Sequence, residues 1–177
     1  MTDTDIPDAR AELESLLDEF SAGNLPSIGF VAKVRALGDA NPGLISADPS
    51  LGVAVAAGFG NHTSGRDLMS LLLEIEGFEV RNVQIRDSDA DLVAACADPA
   101  VTVLCLSAQS TQAADSIADV IGDVEPADRK RIVFNAGGAP VSQAFAERIG
   151  CDVFSISAVE SVRLIKAAVL SRRHREL

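Results

Sequence analysis

The chain has 177 residues, a formal net charge of −11 and 4% aromatic residues, with no Trp or Tyr. Such acidity repels phosphate backbones, and the missing aromatics remove the stacking platform that single strands require, so direct nucleic-acid binding is excluded. The 47% apolar content provides a sizeable core of aliphatic side chains and seven Phe, enough for one ordinary domain with an appendage.

Residues 1–50 carry two helical patterns and no strand. Leu13, Leu16, Leu17 and Phe20 recur at i, i+3, i+4 and i+7, and Gly23 closes the pattern. Ile28, Val31, Val34 and Leu37 supply the apolar stripe of a second helix, from about Pro26 to Ala40. Asn41-Pro42-Gly43 and Asp48-Pro49-Ser50 then punctuate the chain. They divide an N-terminal helical segment, 1–50, from an α/β domain, 51–177.

Beyond residue 50, strand and helix signals alternate. Apolar runs at Gly52–Ala57, Glu79–Ile85, Thr102–Leu106, Arg131–Asn135 and Asp152–Ile156 predict five strands. The clearest intervening helix is Gly65–Glu76, with Leu68, Leu71, Leu72 and Ile75 on one face, Ser64 as its cap and Asp67 as the cap's acidic partner. A last helix begins near Val159 and turns Val162, Ile165 and Val169 inward. Apolar strands separated by amphipathic helices imply a parallel sheet covered on both faces. The expected architecture is a doubly wound, five-stranded, flavodoxin-like α/β domain with order 2-1-3-4-5. Ligands of such sheets bind where the order reverses, here just after residue 57 or residue 106.

Cys96, Cys105 and Cys151 have no C-x-x-C spacing and read as reduced thiols of a cytoplasmic protein. No charged start precedes a long apolar run, so neither a signal peptide nor a membrane span is expected. The basic cluster Arg172-Arg173-His174-Arg175 reads as a solvated helix end suited to the helix dipole.

The loop after the first strand, Gly58-Phe59-Gly60-Asn61-His62-Thr63-Ser64-Gly65, places one of only two histidines at the switch point. A neutral imidazole there can face a metal; it can equally stabilise the loop, and the helix start can serve as a phosphate site. No G-x-G-x-x-G or Walker pattern accompanies it, which argues against a dinucleotide or nucleoside triphosphate.

The run Gly60-Asn61-His62-Thr63-Ser64-Gly65, a helix, and then Gly77-Phe78-Glu79-Val80 resembles the cobalamin-binding module of corrinoid methyltransferase proteins and methionine synthase. The block Asn135-Ala136-Gly137-Gly138-Ala139-Pro140-Val141-Ser142, followed by Phe145-Ala146 and Ile149-Gly150-Cys151-Asp152, is similar to the same module's G-G-A-P-V-T…F-A…I-G-A-D run. The resemblance extends from about residue 51 to the C-terminus. It implies a cobalt corrinoid with His62 as lower axial ligand and metal-binding residue, beside Gly60, Asn61, Thr63, Ser64 and Gly65. The nucleotide tail would then lie in a slot lined by Ser107 and Gln109 and by Gly137 and Gly138, where glycine lets backbone approach the tail. On the residues alone, Gly137-Gly138 is a tight turn before a helix starting at Pro140.

Three positions depart from the pattern. The family's Asp two residues before the ligand is Gly60, leaving Asp67 or a backbone carbonyl to orient the imidazole. The S-x-L at strand 3 is Ser107-Ala108-Gln109, and the N-terminal segment supplies two cap helices instead of four. The implied function is a methyl-carrier subunit, not a complete enzyme, served by a partner methyltransferase. A cobalamin- or haem-binding sensor acting through a regulatory protein partner is the alternative, its N-terminal helices forming a homodimer. A cofactor-free scaffold is the third.

Overall fold

The computed structural model of the chain describes residues 5–59, 63–85 and 90–175. The chain forms two compact units, Met1–Ala47 and Asp48–Leu177.

In the first unit, α1 (Asp5–Ser21) and α2 (Ser27–Ala40) are joined by a turn in which Gly23 adopts φ +76°. Its N–H donates to Phe20 O at 3.0 Å and that of Asn24 to Glu19 O at 2.9 Å, a glycine-dependent helix stop. Phe20 and Phe30 stack with ring centroids 4.6 Å apart, and this contact sets the rotation of α2. Its buried face is Phe30, Val34 and Leu37. Ile28, expected on the inner stripe, is 81% exposed instead; burying an aromatic ring outweighs burying one aliphatic chain.

The second unit is an α/β layer structure with a parallel sheet of order β2-β1-β3-β4. The strands are β1 (Val53–Phe59), β2 (Glu79–Ile85), β3 (Val101–Ser107) and β4 (Val133–Gly137). Connecting them are α3 (Ser64–Ile75), α4 (Ala90–Cys96), α5 (Thr111–Asp123), α6 (Pro126–Arg131), α7 (Gln143–Arg148) and α8 (Ala158–Arg173). The strand period of two sorts the side chains. Val55, Ala57, Leu104, Leu106 and Phe134 pack with Leu92, Ile117 and Val120 in one core. On the opposite face α3 and α8 contact each other and the sheet, with Leu71, Leu72, Val162, Ile165 and Val169 buried. The edge strand β2 is only partly buried, so it carries Asn82 and Gln84, which bond Ser70 and Arg66 of α3 at 2.5 and 2.7 Å.

The expected fifth strand, Asp152–Ile156, is a single bridge, Asn135 to Val153. Val153 is buried and Phe154 packs partly buried against the core, whereas Ile156 is almost fully exposed, so apolar burial stops short of the end of the segment. Asp152 anchors it instead. Its carboxylate accepts from Phe134 N at 2.8 Å, Arg129 Nη1 at 3.2 Å and Arg172 Nη2 at 2.6 Å. Arg172 also donates to the carbonyls of Lys130 and Ile132. The C-terminal basic cluster is therefore not wholly a solvated helix end, because one guanidinium ties α8 to the β4 entrance. Asp152→Ala removes a charged acceptor from two cations and a backbone N–H. It is expected to cost about 2 kcal/mol, read as a lower urea midpoint at unchanged slope.

No helix among the described residues is long and apolar enough to cross a membrane.

Candidate functional site

At the carboxyl end of the sheet, at the ends of β3 and β4, a cleft of ≈ 410 Å³ opens, a size ordinary for small-molecule sites. Its walls are Gly65, Leu68 and Met69 of α3, Leu106 and Ser107 of β3, Gln109, Asn135 and Gly137 of β4, and then Gly138, Ala139 and Val141. Phe154, Ser155, Ile156, Ala158 and Ser161 close the far side. No charged side chain is among these lining residues. Hydroxyl, amide and backbone groups supply the polarity, and aliphatic chains with one phenyl supply the rest. Such a lining suits a largely neutral ligand that offers hydrogen-bonding edges and an apolar ring, and it leaves an isolated anion or cation without a counter-charge.

Five expected site residues meet here: Gly65, Ser107, Gln109, Gly137 and Gly138. The contact between α3 and the end of β3 is close. A Cβ at Gly65 would collide with Ser107 Oγ and come within 3.0 Å of Gln109 Nε2. The two adjacent glycines behave differently. A Cβ at Gly137 would meet nothing within 4 Å, so this position keeps the cleft open. Gly138 has φ +113°, and its Cβ would run into the carbonyl of Ala108. Glycine at 138 is thus required by the protein's own backbone. The expected helix start at Pro140 is displaced: α7 begins at Gln143, capped by Ser142 Oγ, which accepts from Phe145 N at 3.2 Å.

Gly60, Asn61 and His62 lie outside the described residues. Thr63, not Ser64, occupies the cap position of α3, with no side-chain cap bond, so the expected Ser64 capping box with Asp67 does not form. Asp67 is committed elsewhere: its Oδ1 accepts from Arg66 Nη2 at 2.6 Å and Nε at 3.0 Å. Among the described residues, no group of three His, Cys, Asp or Glu side chains converges on a metal site. Burial raises the Cys96 and Cys151 thiols to about 11 and drives Cys105 higher still, which keeps all three protonated near neutrality and unfit as free nucleophiles.

The sequence pattern did not single out Asn135, Phe154, Ser155 or Ser161. Asn135 is a buried amide whose Nδ2 donates to Val153 O at 3.0 Å; a lone Asn inside an apolar strand was the available signal. Ser155 belongs to the run Asp152–Ile156, which reads as strand, and Ser161 to the last helix.

The chain is 33% identical over 121 residues to dimethylamine corrinoid protein 3 of Methanosarcina acetivorans, an overlap spanning 62% of this chain and 52% of that protein. It is 31% identical, again over 121 residues, to trimethylamine corrinoid protein 2 of the same organism, spanning 62% of this chain and 51% of that protein. The chain is a divergent relative of the corrinoid proteins. It spans about half the length of these curated relatives, and no protein-family model matches it. Among solved structures, this corrinoid-protein relative shares its fold with a cobalamin-binding protein from Desulfitobacterium hafniense. The TM-score is 0.71 at 21% identity, over 92% of this chain and 80% of that one. The monomethylamine corrinoid protein of Methanosarcina barkeri also shares it, with a TM-score of 0.61 at 18% identity, over 91% of this chain and 96% of that one.

Proposed function

We propose that the Asp48–Leu177 unit binds a cobalt corrinoid of the cobalamin type and carries its methyl group to and from a partner methyltransferase. The observation that carries this reading is the uncharged cleft at the ends of β3 and β4, kept open at Gly137, in a relative of the corrinoid proteins. The fit is chemical as well as spatial. Besides its phosphodiester, a nucleotide tail presents a neutral aromatic base and a ribose, and it is these two parts that suit an uncharged lining. Leu68, Met69, Leu106, Val141 and Phe154 offer apolar surface to the base, and Ser107, Gln109 and Asn135 lie within the same walls.

His62 is the proposed lower axial ligand, with Gly60, Asn61, Thr63, Ser64 and Gly65 forming the loop and helix start around it. When bound, the cobalt supplies the methyl-transfer chemistry. The chain's own residues hold the tail, exclude water from it and set the access of a partner. Residues 1–50 are proposed as the interaction element, engaging the methyltransferase or a second copy of this chain.

Wild type and His62→Ala are to be mixed with hydroxocobalamin, freed of excess by gel filtration, and compared by visible spectrum and titration. Wild type should retain the corrinoid with a shifted spectrum. The variant should lose that shift and bind at least ~10-fold more weakly, since even outer-sphere partners of a metal-bound His are worth ~10–100-fold. A colourless wild-type protein, or one that takes haem in preference, overturns the proposal.

A further inference from the structure

The segment after the single bridge makes a tight loop with one side chain at its apex. Val153 and Val159 are buried on either side, and Ile156 between them is 97% exposed. The loop is well bonded. Ser155 Oγ donates to Glu160 Oε2 at 2.6 Å and accepts from Ser157 N at 3.1 Å. Ser161 Oγ donates to Ser155 O at 3.3 Å, and Ser157 Oγ caps α8 by accepting from Glu160 N at 3.3 Å. Ile156 is therefore held outward by its neighbours. It also lines both the main cleft and an adjoining shallow depression of ≈ 560 Å³ formed with Val141, Ser142, Gln143, Phe154 and Glu160.

Scattered exposed aliphatic chains are ordinary on protein surfaces. Among the described residues, the other exposed large apolar side chains of the second unit, Leu164 and Leu170, are 42% and 39% exposed on the outer side of α8. Ile156 differs in degree and in place. A β-branched side chain has few rotamers to lose, and on a fixed loop little ordering remains to be done when something apolar lands on it.

We propose that Ile156 is a positioning residue for the bound corrinoid, packing against an apolar face or methyl-bearing edge of the macrocycle at the cleft mouth. This inference rests on the corrinoid reading above. Burying a fully exposed isoleucine against such a ligand is worth roughly 10- to 100-fold in affinity. That is enough to separate ligands that reach the loop from ligands that fill only the cleft.

The test is a spectral titration of the full chain with hydroxocobalamin for wild type, Ile156→Val and Ile156→Asn, with thermal melts with and without the ligand. The valine variant should stay within about threefold of wild type, whereas the asparagine variant should bind about tenfold more weakly or worse. The ligand-free melting temperature of Ile156→Asn should match wild type, because the side chain has almost no contacts to lose, and its ligand-induced rise should shrink. Wild-type affinity in Ile156→Asn overturns the contact and leaves the corrinoid reading standing. An Ile156→Asn protein that binds cobalamin normally but fails to receive a methyl group from a partner assigns the residue to protein docking and equally overturns it. A wild type that binds no cobalamin overturns both.

Discussion

Gly137→Leu should give a protein that folds and melts like wild type and no longer retains a corrinoid. Gly137 ends β4, in register with Ser107, and it is not among the glycines with positive φ, so a side chain imposes no backbone strain. A Cβ there touches nothing within 4 Å, and leucine is a better strand residue than glycine. The added isobutyl group projects into the cleft lined by Ser107, Asn135 and Phe154. A clash built into a site discriminates as strongly as a lost contact, so affinity for hydroxocobalamin should fall by at least on the order of 100-fold. Matched melting curves combined with a titration decide it. Normal binding in a normally folded Gly137→Leu would place the tail elsewhere.

One residue further on, the expected outcome reverses. Gly138→Ala should damage the fold whether or not a ligand is present. The alanine would have to adopt φ +113° with its methyl against the Ala108 carbonyl. Strain of this kind costs ~1–3 kcal/mol, and forcing an atom into a filled site adds ~1–3 kcal/mol more. A loss of ~3 kcal/mol or more is expected by urea denaturation, a large share of a small domain's stability. An unaffected urea midpoint would mean that the turn rearranges without penalty. Together the two variants separate a glycine that leaves room for a ligand from one that leaves room for the chain itself.

The pair also marks how far the amino-acid sequence is readable. Apolar runs located the strands well where both sheet faces are covered, because burial on both sides writes an unbroken signal, as in Val53–Ala57 and Val101–Leu106. Around Asp152–Ile156 the same reasoning overreached. Its alternating apolar and Ser residues look like strand, but Asp152 is spent on Arg129 and Arg172 and Ile156 points to solvent. The helix-cap rule failed at Ser64 by one residue, and the rotation of α2 was decided by a ring–ring contact that no single-helix periodicity contains. The site was legible in part. Ser107, Gln109, Gly137 and Gly138 were placed together by a motif, whereas Phe154 and Ser161 reach the cleft only through tertiary placement. Why each glycine is a glycine needed coordinates, since a motif records the residue type and not the atom it avoids.

The outer wall of the cleft hangs on very little ladder. The bridge at Val153, with the N–H groups of Asp152 and Val153 both donating to Phe134 O, the Asn135 amide, the Asp152 carboxylate and the serine bonds fasten 152–157, while β4 is paired along its whole length with β3. Parting that wall from its neighbour breaks far fewer backbone bonds than fraying the sheet, so its opening equilibrium lies well below the free energy of global unfolding.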